Sequence, residues 1–530
     1  MRENKIKLRE GIYLAPFICG FFYFMYIFIK VPVIDDRWME SWAYYDLQDT
    51  WRVLFTQIRW MQGANARVFS NLFSVLFDKN VYVRGMLNAF MLMAFCYLST
   101  FGFRKCLEMD GRKKAFLSLL SVALIAFVSW NIKIEVYLYA TTLYLSSVLV
   151  VLVNIMLLYK CFYRGHGEKK EFVVLYMFQL GTLLWLENVS LVLAGICTLN
   201  VFILYLTEHK INKRALASMI ISIIGLLIMY IDIKIAAPGR FGGGAAKNFD
   251  YSHITEFIYD NIYIILVLIL LTNYFFHEIF KKEKKRVLVL AYIFLDVLSV
   301  AAILLVLKSI YEIISADLWV EIPYAWAPFK WQIVDDFFYK INRLFEIMLI
   351  PSAVLFLVFL VVILYKLNRI YDGGAMLVAV LLSFAFQCMY YGGAGRIESL
   401  TIFGIISLIL LLAGNMELKA KSPINRFIFR MVSVCIFACA LIQFDSLHMF
   451  VHSQAEIGEE RQHIAELVHE EQLLGRWDYS ETVVMPAFSE TIDGRCLLGP
   501  PNPEKGNPYY DYGIIQRYYD LDPQTKIIFE

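Results

Sequence analysis

Thirteen apolar runs, most between 15 and 24 residues long, are separated along the chain by short polar connectors, and that alternation limits what the protein can fold into. A water-soluble chain of 530 residues needs a polar surface over several domains, yet 59% of its residues are apolar and only 18% are charged. Long apolar runs are the mark of membrane helices, because a bilayer core of about 30 Å takes about 20 helical residues to cross. Backbone groups inside hydrocarbon must satisfy one another, which leaves helices as the economical solution. The runs fall at roughly 11–33, 83–103, 115–130, 141–159, 172–186, 189–206, 215–233, 257–280, 287–307, 347–365, 375–391, 399–414 and 431–446. The first is too long for a signal-peptide core and lacks a small-x-small cleavage site before Asp35, so it reads as a retained helix.

Charge placement orients this array. If the N-terminus is inside, the inside segments are 1–10, 104–114, 160–171, 207–214, 281–286, 366–374 and 415–430. They hold 27 of the 49 Lys and Arg residues, although the outside positions are about three times as numerous. The expectation is an all-α polytopic membrane protein of about 13 transmembrane helices, N-in and C-out. The transmembrane domain spans 1–446, with outer loops 34–82, 234–256 and 308–346, and residues 447–530 form a small extracytoplasmic α/β cap. In the cap, 454–474 reads as an amphipathic helix with Ile457, Ile464, Leu467, Val468 and Leu474 as its stripe, and Thr482–Met485 and Lys526–Phe529 read as short strands. Near-neutral net charge gives no sign of a nucleic-acid partner. Eight of the nine cysteines sit in spans or at their inner ends and only Cys496 is clearly outside, so no disulfide is expected in the outer parts.

Connectors on the inside are short and basic, so chemistry is expected on the outer face, where the long loops lie. Directly after the first run come Asp35 and Asp36, with Glu40 four residues on and Trp38 and Trp42 on one helical face. Adjacent carboxylates suit a general base or a divalent cation, and the tryptophans suit a sugar ring or the membrane interface. An interfacial helix with solvated charges explains the same residues. In the same loop Asn65, Arg67 and Asn71 offer amide and guanidinium groups for a phosphate or for the two aspartates. Glu187 and Asn188 stand between two apolar runs with almost no loop. An ionisable group at membrane depth costs about 2.5–3.5 kcal/mol on insertion scales unless water or a partner meets it, which singles out Glu187. A tight hairpin exposed to water is the plainer explanation. Pro238-Gly239-Arg240, followed by three glycines at 242–244, forms a possible anion cradle, and Gly392-Gly393-Ala394-Gly395-Arg396 repeats that chemistry in a short turn. Neither has the strand–helix context of a nucleotide P-loop. Asp296, midway along the ninth run, and Glu135, in an outer turn, fit no simple scheme.

The order of these elements resembles that of bacterial polytopic glycosyltransferases of the GT-C type, and in particular an uncharacterised bacterial family within that class. The resemblance rests on Asp35-Asp36, Asn65-Ala66-Arg67, Glu187-Asn188, Pro238-Gly239-Arg240 and, near the end, Asn507-Pro508 with Tyr518-Tyr519-Asp520-Leu521. Ala66 replaces the usual glycine and Arg240 stands where Asn is common. The resemblance implies an enzyme of the bacterial cytoplasmic membrane with its active site on the extracytoplasmic face. Its donor is a polyprenyl-phosphate-linked sugar and its acceptor a cell-envelope glycan or lipid. It implies an Asp of the first outer loop as base or metal ligand and basic residues on the donor phosphate. Within that frame the residues themselves point to Asp36 as base with Asp35 or Glu187 as partner, to a divalent cation, if one is used, on Asp35 and Asp36, and to Asn65, Arg67, Asn71, Asn188, Arg240, Arg396 and Trp42 for the donor. A flippase, a transporter of lipid-linked saccharides or a polysaccharide polymerase would use similar arginines. The absence of an internal repeat and the length of the outer loops argue for the transferase.

Overall fold

The computed structural model describes residues 12–30, 81–103, 109–131, 141–163, 167–183, 185–236, 257–258, 261–281, 286–318, 351–390, 395–416, 452, 456–487, 491–492, 495–496, 516, 519, 521–522 and 524–530. Twelve apolar helices follow in chain order: α1 (Ala15–Lys30, entered through a 3-10 turn at Ile12–Leu14), α2 (Val81–Phe101), α3 (Gly111–Asn131), α4 (Thr141–Phe162), α5 (Lys169–Gly181), α6 (Glu187–Glu208), α7 (Lys213–Ala236), α8 (Ile262–Phe280), α9 (Arg286–Leu318), α10 (Pro351–Lys366), α11 (Ile370–Tyr390) and α12 (Gly395–Ala413). Each coincides with one of the first twelve predicted runs, and the thirteenth, 431–446, lies outside the described residues. Six helices among the described residues are long and apolar enough to cross a membrane. Four shorter apolar ones, in α1, α10, α11 and α12, accompany them.

Helix α12 is the hub. From Leu400 to Ala413 every side chain except that of Gly404 is buried, the pattern of a helix apolar all round. It packs against α2, α3, α4, α8 and α11. Phe95 meets Phe403 edge-on at 4.8 Å, and the Ser99 and Ser407 hydroxyls lie 3.1 Å apart. Both pairs have the same sequence offset, so α2 and α12 run parallel. Small residues let other helices close up: Gly85 and Gly20 sit at the α1–α2 seam against Ile29 and Met93, Gly195 of α6 against Leu382 of α11, and Gly404 of α12 against Val380 of α11. Gly374 of α11 also approaches Leu199 of α6, and Gly373 of α11 meets Leu411 of α12, so in all three pairs the paired positions rise on one helix as they fall on the other and the helices are antiparallel.

Two elements depart from the sequence reading. Helix α5 ends at Gly181, not at 186; its 13 residues span about 20 Å, short of a bilayer core. Helix α9 runs on to Leu318, into what was expected to be an outer loop.

The C-terminal unit has its own core. Helix α13 (456–473) covers a two-stranded parallel sheet in which β1 (Thr482–Met485) pairs with β4 (Lys526–Phe529), Val483 opposite Ile527. A separate two-residue hairpin joins β2 (Thr491–Ile492) to β3 (Arg495–Cys496). The two longer strands match expectation residue for residue, but the helix stripe does not. Leu467 and Leu474 are exposed, while Arg461 is buried beside Ala465 and Val468. The guanidinium of Arg461 lies over the Phe529 ring at 4.3 Å, and its Nε donates to the Pro486 carbonyl at 2.6 Å, so a basic residue occupies a core position.

Candidate functional site at one end of the helical bundle

The break after α5 fixes where Glu187 stands. Thr182 ends the helix: its hydroxyl donates to the Phe178 carbonyl at 2.9 Å and its N–H to Gln179 at 3.2 Å, satisfying carbonyls that a stopped helix leaves open. The chain then turns extended, with Leu186 at φ −145° and ψ 154°. Trp185 Nε1 donates to Ser146 Oγ of α4 at 3.2 Å, and Ser190 Oγ donates back to the Leu183 carbonyl at 2.9 Å. Leu183 fills the space over Gly225 of α7. Glu187 is therefore the first residue of the 22-residue α6, where the helix dipole favours a carboxylate. Asn188, one residue on, is buried.

Below the break lies a buried polar junction. Gln179 Nε2 donates to Asn154 Oδ1 at 3.1 Å and to Ser218 Oγ at 2.8 Å, joining α5 to α4 and α7. Cys197 of α6 accepts from Gln179 at 3.3 Å and from Ser222 at 3.2 Å. These groups anchor the short helix and so hold the extended segment in place.

Helix register brings further residues to the level of Glu187. Gly195 lies against Leu382, so in the antiparallel α6–α11 pair Glu187 falls opposite the end of α11 at Tyr390. Gly404 lies against Val380, which sets the start of α12, with Arg396 as its second residue, at the same end. The side chains of Glu187 and Arg396 lie outside the described residues, so only their backbone positions are fixed. Since α2 runs parallel to α12, its first two turns belong to this end too, and there Arg84 and Asn88 are buried and engaged with neighbouring groups. Gly85 against Ile29 places Arg84 level with Lys30, the last residue of α1. Arg84 and Asn88 were absorbed into an apolar run in the sequence reading. The signal was an Arg and an Asn four residues apart at the head of a membrane-type helix, polar groups that cost free energy there without partners.

Asp35, Asp36, Trp42, Asn65, Arg67, Asn71, Glu135 and Arg240 lie outside the described residues. Among the described residues no group of three or more His, Cys, Asp or Glu is placed to hold a metal, and the two aspartates that would do so are not among them. At the opposite end of the bundle a small cavity is lined by Tyr159, Tyr163, Asn200, Tyr371 and Asp372 among others. Tyr163 stacks on Tyr371 at 3.7 Å and bonds Asn200, while Asp372 takes Arg369 at 3.2 Å. None of the expected site residues is there. No protein-family model matches the chain, and neither a curated protein nor a solved structure shows significant similarity to it.

Proposed function

We propose that the chain is a polytopic membrane glycosyltransferase of the bacterial cytoplasmic membrane. It moves a sugar from a polyprenyl-phosphate donor to a glycan or lipid acceptor on the extracytoplasmic face, with 13 spans oriented N-in and C-out. The observation that supports this reading is convergence. The starts of α2, α6 and α12, bearing Arg84, Glu187-Asn188 and Arg396, lie at the same end of the bundle, opposite the basic connectors. The loop that carries Asp35, Asp36 and Arg67 joins α1 to α2 at that same end.

The chemistry asks for one base and several cations. Asp36, with Asp35 or Glu187 beside it, takes the proton of an acceptor hydroxyl as that oxygen attacks the anomeric carbon. The bond from that carbon to the donor phosphate oxygen breaks, and the phosphate departs with its extra charge. Arg67, Arg240 and Arg396 meet that charge, reinforced by the positive ends of three helix dipoles. Asn65, Asn71, Asn188 and Trp42 hold the sugar, and the helices give the prenyl chain an apolar surface.

The test uses membranes bearing either the wild-type chain or the Asp35→Asn/Asp36→Asn double variant, supplied with labelled polyprenyl-phosphate sugars. Label leaving the lipid for an acceptor polymer with wild type alone is the expected result. Label that stays on its lipid but changes leaflet with wild type alone would establish a flippase instead.

A further inference from the structure

The heads of α5 and α7 gather a cluster of cations that the proposed transferase does not use. The two helices run parallel from the end opposite the candidate site: the Tyr176 hydroxyl donates to the Arg214 carbonyl at 3.0 Å, and Gln179 meets Ser218 one turn further along. Two acids at this end already have partners, Glu168 in Lys170 at 2.8 Å and Glu171 in Lys160 at 3.1 Å. Glu208 and Lys210, in the turn before α7, offset each other in charge. Lys169, Lys213 and Arg214 are exposed and have no acidic partner among the described residues, which leaves three cations unmatched.

Arg214 is also held in place. Its guanidinium lies over the Phe172 ring at 4.4 Å, and that buried ring packs edge-on against Phe162 of α4. The helix starts themselves are closed to an anion. Asn212 Oδ1 accepts from the N–H groups of Arg214 and Ala215, while Glu168 and Glu171 complete a capping box at the head of α5. What remains for an anion is a planar guanidinium backed by a ring, and two ammonium groups.

An apolar lane leads away from these cations. Val173, Val174, Met177 and Leu180 share one side of α5 and are between 46% and 64% exposed, with Lys169 one turn below Val173. From Lys169 to Leu180 the lane measures about 16 Å, against about 15 Å for one leaflet of a bilayer core. A phosphate at one end of such a lane and an acyl chain along it make a phospholipid, and unmatched cations select an anionic one.

We propose that the heads of α5 and α7, with the exposed side of α5, bind one anionic phospholipid of the adjoining leaflet. Its phosphate sits on Arg214, Lys213 and Lys169, and an acyl chain lies along Val173, Val174, Met177 and Leu180. The guanidinium takes two phosphate oxygens through parallel N–H groups while its face stays on Phe172, and the lysines add charge. This rests on α5 and α7 lying in the bilayer, not on the transferase chemistry or on which side of the membrane they start.

Native mass spectrometry of the purified full-length chain, titrated in detergent with phosphatidylglycerol or with phosphatidylcholine of the same acyl chains, tests it. Wild type should take up one phosphatidylglycerol in preference to phosphatidylcholine. A Lys or Arg near an anionic lipid is worth about fivefold in affinity, so Arg214→Gln should lower the preference about fivefold and Lys169→Gln/Lys213→Gln about twentyfold. The double variant leaves the packing of Phe172 untouched, so it stands even if Arg214→Gln disturbs the fold. Arg112→Gln removes the same charge at the same end, but on α3, which packs on α1, α2 and α12, and should leave the preference unchanged. A photoreactive phenylalanine analogue at Met177 should label the acyl chain of the bound phosphatidylglycerol. The proposal is overturned by equal uptake of the two lipids, by a preference that survives the double variant, by an equal loss in Arg112→Gln, or by a Met177 probe that leaves the bound lipid unlabelled.

Discussion

Gln179 shows how a single side chain determines where a neighbouring segment can lie. Its amide ties α5 to α4, α6 and α7, and replacing it with Leu leaves Asn154 and Ser218 facing an apolar group. Interhelical hydrogen bonds of this kind are worth about 0.6–2 kcal/mol in membranes. Gln179→Leu should therefore lower stability in detergent by that order, and should lower transfer more than stability because the segment leading to Glu187 loosens; thermal unfolding and turnover measured together would check both. Arg84 offers a second test. Arg84→Lys keeps charge but not the planar fork, so if the guanidinium supports the site, donor KM should rise while the melting temperature changes little. Equal losses for Lys and Gln in stability alone would make it a purely packing residue. At the C-terminal unit, the Ser480 N–H donates to Asp478 at 2.9 Å, and that bond holds the Asp478 carboxyl below the usual carboxylate range. A depressed folded pKa means the stabilisation is present above the ordinary carboxylate pKa and is lost as pH falls through the folded value. Trp477 fluorescence should show an acid transition of the unit that is shallower in Asp478→Asn.

At the level of elements, the antiparallel α1–α2 pair depends on Gly85. A β-branched side chain there would meet Ile29 and come close to the α1 backbone, so Gly85→Val should destabilise by about 1–3 kcal/mol and displace Arg84 with it. A melting temperature equal to wild type would show that the seam can yield. The positions of α1 to α12 were legible because apolar length and the basic connectors report directly on membrane-type helices. The early stop of α5 was not, since Leu183, Leu184, Trp185 and Leu186 continue the apolar run and only Gly181 and the hydrogen bonds of Thr182 and Ser190 mark the break. In α13 the stripe went astray at Leu467 and Leu474, because hydrophobicity alone gives no reason to bury Arg461 in preference to a leucine. Asp296 was recognised as costly, but its partners His277 and Asn273 come from another helix and have no sequence spacing to reveal them.

For the whole molecule, the proposed N-in, C-out orientation predicts that alkaline phosphatase fused after residue 446 is active, while the same fusion in 207–214 or 281–286 is inactive; the reverse pattern would invert the proposed face of the site. The central position of α12 bears on how the bundle is made. Ser99 and Ser407 touch although 308 residues separate them. At about 5–20 residues per second a ribosome needs roughly 15–60 s to cover that distance. During that time α2, α3 and α4 are made before α12 is, and the slot that α12 will fill stays empty of α12. In water such an open core would invite aggregation. In a bilayer, lipid tails as apolar as leucine can occupy the slot at little cost and leave when the last wall arrives. The membrane serves this protein as a placeholder for its own unfinished interior.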